Sequence, residues 1–159
     1  MSGSSVPGVR STTRVLAYGL AGWCSEVVTT GLRSHGRDGD WRLTGTTYLW
    51  MLPIYGSAAV LFEPAHDVVR RRDWPWWARG LMWAAGIYAV EAASGEAVRR
   101  VTGEIPWDYT RPRGSKPVPA NWRGLVRPSY LPLWFAVGLG MERLHDGLDL
   151  LEDRLDATR

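Results

Sequence analysis

The chain has one cysteine, no phosphate-binding loop and no nucleophile–base spacing, and each absence closes a class of function. Cys24, alone among 159 residues, excludes an intrachain disulfide and forms no metal motif by itself. It reads as a small buried apolar residue. No Walker motif, Gly-rich phosphate loop or Ser-His-Asp spacing occurs, so any work with ATP requires a separate ATPase chain. A cleavable leader is missing too. The start, "MSGSSVPGVRSTTR", is polar and no small-residue cleavage site follows a short apolar run, so the first apolar segment is expected to stay as an anchor. The net charge of +3 is modest, and the arginines are interleaved with acids and prolines without any nucleic-acid motif. No nucleic-acid partner is expected.

Tryptophan is plentiful: there are ten. Many flank apolar segments, namely Trp41, Trp50, Trp74, Trp76, Trp77, Trp107, Trp122 and Trp134. Amphipathic rings of this kind favour membrane–water interfaces. Mean hydropathy is slightly negative, but the charges crowd into residues 33–42, 70–79, 96–127 and the tail. Four apolar segments lie between them, at about 15–32, 48–69, 76–98 and 130–151. Each approaches the roughly 20 residues a helix needs to cross a bilayer. The pattern predicts an all-α integral membrane protein, a four-helix bundle in one domain over 14–151. A flexible tail (1–13) precedes it, a polar tail (152–159) follows, and a long Pro-, Gly- and Arg-rich link spans 99–129. Lysine and arginine divide about evenly between the two sides, so orientation is not set.

The acids within these segments carry the chemistry. Glu26, Glu63, Glu91 and Glu142 each lie on a helical stripe bearing small residues, which places them toward neighbouring helices. Two of them open the same triplet: "EPAHD" holds Glu63, His66 and Asp67, and "ERLHD" holds Glu142, His145 and Asp146. The halves of the chain therefore match loosely, as two parallel helix-pair repeats would. Carboxylate-bridged di-iron and di-manganese bundles take one Glu from each of two helices and a Glu-x-x-His from each of the other two. The order Glu26, Glu63-x-x-His66, Glu91, Glu142-x-x-His145 supplies that set for two iron or manganese ions. Asp67 and Asp146 would orient the imidazoles from behind. The competing reading pairs the acids with arginines such as Arg79, Arg99, Arg100 and Arg143, or has them bind protons.

"GWCSEV", "PIYG", "PWDYT" and "NWRGL" add a resemblance. The chain resembles the family of small multi-pass membrane proteins described as ABC-transporter type IV (CmpB-like), over most of residues 14–147. The matching positions are Gly22, Trp23, Glu26, Pro53, Ile54, Tyr55, Gly56, Trp107, Asp108, Tyr109, Asn121 and Gly124. The resemblance implies an integral membrane protein. The paired Glu-x-x-His-Asp is not part of the family pattern. Two functions follow as expectations. One is a membrane di-metal site for oxidative chemistry or metal handling, with a redox partner. The other is a permease-like or accessory transporter subunit in which the acids are structural or proton-binding. Either fits a lipid bilayer environment and a homo-oligomer.

Overall fold

The computed structural model describes residues 7–110 and 122–158, and Asn121 of the family pattern lies outside them. The described residues form five α-helices and two short 3-10 turns, with no strand among them. Helix α1 spans Pro7–Asp38, α2 Met51–Gly56, α3 Ala58–Arg71, α4 Trp76–Thr102 and α5 Leu131–Ala157; the 3-10 turns are Trp122–Gly124 and Pro128–Tyr130.

Proline and glycine punctuate these elements. Pro7 opens α1, where its missing N–H costs nothing. Gly39, at φ 67°, closes α1 by donating its N–H to the His35 carbonyl (2.8 Å). Gly103, at φ 77°, closes α4 in the same way on Arg99 (2.9 Å). Both are left-handed caps that a side chain would strain. Pro75, extended at φ −64° and ψ 148°, launches α4 at Trp76, the predicted start of the third segment. The second segment departs from expectation. One helix over about 48–69 is predicted, whereas Ser57 separates α2 from α3 and donates its N–H toward the Pro53 and Ile54 carbonyls. Pro53 lies in the first turn of α2, where its missing N–H has no intrahelical partner to lose.

The chain divides into two compact units: Met1–Asp67 with Glu152–Arg159, and Val68–Leu151. In the first, α1 packs on α2 through glycines. A Cβ on Gly19 would sit 2.8 Å from the Leu52 carbonyl oxygen, and one on Gly22 would sit 2.4 Å from the Tyr55 ring. In the second, α4 and α5 approach as closely. A Cβ on Gly80 would meet the Phe135 ring at 2.4 Å, and one on Gly138 would meet Trp83 at 2.2 Å. The small-residue stripes predicted from the sequence are thus the helix contacts.

The membrane reading is corrected. Among the described residues no helix is long and apolar enough to cross a bilayer. The 27-residue α4 has the length, but it carries Arg79, Glu91, Glu96, Arg99 and Arg100. The 27-residue α5 carries Glu142, Arg143, Asp146 and Asp149 in its middle. Such groups are too costly in a hydrocarbon slab at this density. The four-span topology, the integral-membrane location and the permease assignment fall together.

Candidate functional site: carboxylate clamps and a basic aromatic corner

Each predicted acid has a protein partner within its own unit. In the first unit Arg14, on α1, donates from Nη1 to Glu63 Oε1 (2.9 Å). It also donates from Nε and Nη2 to the two oxygens of Glu152 (3.0 and 2.9 Å). One guanidinium thereby joins α1, α3 and the end of α5, using the planar fork that suits arginine to two carboxylates. Further along α1, Glu26 accepts from Thr47 Oγ1 (2.6 Å) and Tyr55 Oη (3.3 Å). His66 is buried and stacks on Phe62, with ring centroids 5.5 Å apart. Its Nδ1 lies 3.9 Å from the exposed Asp67.

The second unit repeats the scheme. Arg79 donates from Nε and Nη2 to Glu142 (2.9 and 3.1 Å), and Trp83 Nε1 donates to the same carboxylate (2.8 Å). Glu91 accepts from Tyr109 Oη (2.9 Å) and Trp134 Nε1 (3.2 Å). Burial, only partly offset by these two donors, pushes the Glu91 carboxyl up to about 7. His145 is buried with Nε2 3.4 Å from Asp149 Oδ2, one turn further along α5. Asp146, predicted to orient that imidazole, makes no hydrogen bond or ion pair among the described residues.

Register ties the units together. Arg14 precedes Glu26 by the same spacing as Arg79 precedes Glu91, and Tyr55 precedes Glu63 as Trp134 precedes Glu142. Four contacts recur at these matched positions. Arg14–Glu63 corresponds to Arg79–Glu142, and Tyr55–Glu26 to Trp134–Glu91. Trp23 donates to the Tyr48 carbonyl (3.2 Å) as Tyr88 donates to that of Arg127 (3.1 Å). The close approach of Val15 to Gly56 recurs as Gly80 to Phe135, with the small residue moved to the other helix.

Within each unit the two acids predicted as metal ligands are held apart by protein partners. Trp83 and Glu91 lie eight residues apart on α4, as do Trp134 and Glu142 on α5. That is about 12 Å of helix in each case. Glu142 is held at the level of Trp83, and Glu91 at the level of Trp134. Ions in a two-metal site sit about 3.5–4 Å apart, so no ion can be bridged by both acids of this pair. In the first unit Glu63 sits at Arg14 and Glu26 at Tyr55, with twelve residues of α1 between Arg14 and Glu26, about 18 Å. Both Glu-x-x-His carboxylates are taken by arginine, the competing reading of the sequence.

The remaining pattern residues are structural within their units. Trp107 Nε1 donates to the Leu125 carbonyl (3.1 Å), and Asp108 Oδ1 accepts from the Thr110 N–H (2.8 Å). A Cβ on Gly56 would meet the Val15 carbonyl oxygen at 2.9 Å.

The corner from α3 into α4 carried no site in the sequence reading beyond its flanking tryptophans and its "RRR" run. Arg70, Arg71 and Arg72 are exposed, and no ion pair of theirs occurs among the described residues. Trp74, Trp76 and Trp77 beside them are 37%, 61% and 54% exposed. The turn is tight: Asp73 is left-handed at φ 49°, Trp74 donates to the carbonyl of the buried Val69 (3.4 Å), and Arg79 Nη1 donates to the Trp74 carbonyl (2.7 Å). A cavity of about 360 Å³ opens there, lined by Arg70, Asp73, Trp74 and Arg79. The signal that could have located it is the run of three arginines followed within five residues by three tryptophans. No family model and no solved structure matches this chain.

Proposed function

We propose that the protein docks on an anionic lipid surface through the α3–α4 corner, without crossing it, and that its two units are copies of one helix–return–helix motif. The carrying observation is the adjacency of three exposed arginines, without an ion pair among the described residues, to three exposed tryptophans. Arginine clusters are drawn to the negative potential of anionic headgroups, at about 1 kcal/mol per residue. Tryptophan rings settle at headgroup depth, with the apolar body inward and the N–H toward water. The exposed side of α4 continues the patch. Trp77, Leu81 and Ala85 follow one another at i, i+4 spacing, and all are exposed. An apolar stripe of this kind suits the acyl boundary.

Flotation of the full chain with phosphatidylcholine vesicles, with and without phosphatidylserine, tests the reading. Binding is expected only to the anionic vesicles, weakened by high salt and about a hundredfold weaker in R70Q/R71Q/R72Q. Equal binding to both vesicle types, no binding to either, or an unaffected triple variant rejects it. Tighter binding to a single-stranded oligonucleotide than to vesicles rejects it as well.

A further inference from the structure

The cavity at the α3–α4 corner carries charges of both signs, although the run beside it is basic. Its walls are Arg70, Asp73, Trp74 and Arg79, and its volume is about 360 Å³. Arg79 is engaged elsewhere: Nε and Nη2 donate to Glu142, and Nη1 holds the Trp74 carbonyl (2.7 Å). Arg70 and Asp73 are tied through the backbone, the Asp73 N–H donating to the Arg70 carbonyl (3.2 Å), yet their side chains form no ion pair with each other. The cavity therefore presents a guanidinium and a carboxylate, both exposed, that do not neutralise one another. The turn does not require the acid, because at φ 49° asparagine or glycine satisfies the backbone as well. Nor does attraction to an anionic surface require it, since a carboxylate among arginines opposes that attraction. Nearness to the start of α4 gives Asp73 a stabilising role, but that role does not distinguish one headgroup from another.

Resting on the docking reading above, we propose that this cavity selects a phospholipid headgroup bearing a primary ammonium beside its phosphate, the grouping shared by phosphatidylserine and phosphatidylethanolamine. Arg70 takes the phosphate, whose oxygens match the guanidinium fork. Asp73 accepts from the ammonium, and the half-exposed Trp74 offers that cation an aromatic ring. Such a headgroup sets its two opposite charges a few bonds apart, as the cavity sets its own. A volume of about 360 Å³ is in keeping with a small-molecule site. Choline fits less well, because its quaternary nitrogen has no N–H to give the Asp73 carboxylate. Glycerol headgroups carry no cation at all, so Asp73 only repels their phosphate. Arg71 and Arg72 remain for the general attraction to an anionic surface.

Flotation of the full chain at matched surface charge tests this. Phosphatidylcholine vesicles carry an equal share of either phosphatidylserine or phosphatidylglycerol, which have the same net charge. The natural chain is expected to bind the serine lipid about fivefold more tightly, the size of one exposed ion pair. D73N and D73G both suit a left-handed turn and are expected to bind the two vesicle types alike. In phosphatidylglycerol vesicles, exchanging phosphatidylcholine for phosphatidylethanolamine is expected to strengthen binding of the natural chain and not of D73N. Equal binding of the natural chain to serine and glycerol lipids overturns the headgroup assignment and leaves anionic docking standing. So does a serine preference that survives in both Asp73 variants, or a natural chain indifferent to phosphatidylethanolamine. Tight binding of soluble phosphoethanolamine without vesicles overturns the lipid as its source. Binding to neither vesicle type overturns this assignment and the docking reading together.

Discussion

Arg79 and Glu142 form a two-pronged ion pair, Nε and Nη2 at 2.9 and 3.1 Å, that Trp83 completes from the next turn of α4. The carboxylate side chain is only 8% exposed and the guanidinium 18%. Removing one partner of such a pair leaves a buried charge without compensation, at a cost of about 3 kcal/mol or more. R79M is therefore expected to destabilise the chain by about that amount. Restoring neutrality in R79M/E142L is expected to recover most of the loss. Urea unfolding of the two variants, with matched slopes, makes the comparison.

Arg14 differs because it serves two acids. Glu63 takes one nitrogen and Glu152 the other two donors. A lysine keeps the charge but offers a single point donor and cannot span both carboxylates in plane. R14K is expected to cost about 1–2 kcal/mol, and more than either E63Q or E152Q alone. Should R14K unfold at the natural midpoint, the bridging geometry contributes nothing and charge alone holds the three elements.

The residues that mattered were visible in the sequence, but their partners were not. Helical periodicity put Glu26, Glu63, Glu91 and Glu142 on stripes with Gly19, Gly22, Gly56, Gly80 and Gly138, and those glycines do sit at the close approaches. Periodicity fixes a face, but it leaves the axial slide of one helix against its neighbour free. A slide of one turn, about 5.4 Å, is enough to replace one partner by another. Arg14 and Glu63 meet across 49 positions, and nothing local to either announces it. The i, i+3 Glu and His suggested a shared ion because carboxylate and imidazole are both ligands. Arginine answers the carboxylate equally well, and the choice between them is tertiary. The membrane inference failed for a related reason. It weighed tryptophans at the segment ends more heavily than charges within them, and a ring that favours a headgroup also favours a half-exposed protein surface.

Glycines in α4 and α5 divide into two kinds, which gives a contrast within each helix. At Gly80 and Gly138 an added methyl would lie 2.4 and 2.2 Å from Phe135 and Trp83. G138A is expected to force the helices apart and cost about 1–3 kcal/mol. At Gly86 and Gly140 a Cβ meets nothing within 4 Å and the residue lies mid-helix. G86A and G140A are each expected to raise stability by roughly 0.5–1 kcal/mol, through helix propensity and a less flexible unfolded chain. Thermal midpoints of the three variants measured side by side test the division. A G138A protein as stable as G140A would show that the close contact is not there.

Stability should also fall as pH rises, through Glu91. Its carboxyl is raised to about 7 in the folded chain, from an ordinary value of 4.5, chiefly by burial. The folded state then binds the proton more tightly than the unfolded state does. The contribution is fully present below about pH 4.5 and is lost progressively until about pH 7, beyond which no more is lost. The opposite sign belongs to Glu96, held down to about 2 chiefly by its hydrogen bond with Arg99; its contribution is present above about 4.5 and is lost only on acidification toward 2. That pair is half-buried, and its contribution does not change across the neutral range. Between about pH 5 and pH 7 the Glu91 effect is thus the one to look for, with an upper size of about 3 kcal/mol. E91Q removes the titrating group, so its unfolding free energy is expected to vary less with pH across that window than that of the natural chain. Parallel pH profiles for the two proteins would place the proton elsewhere.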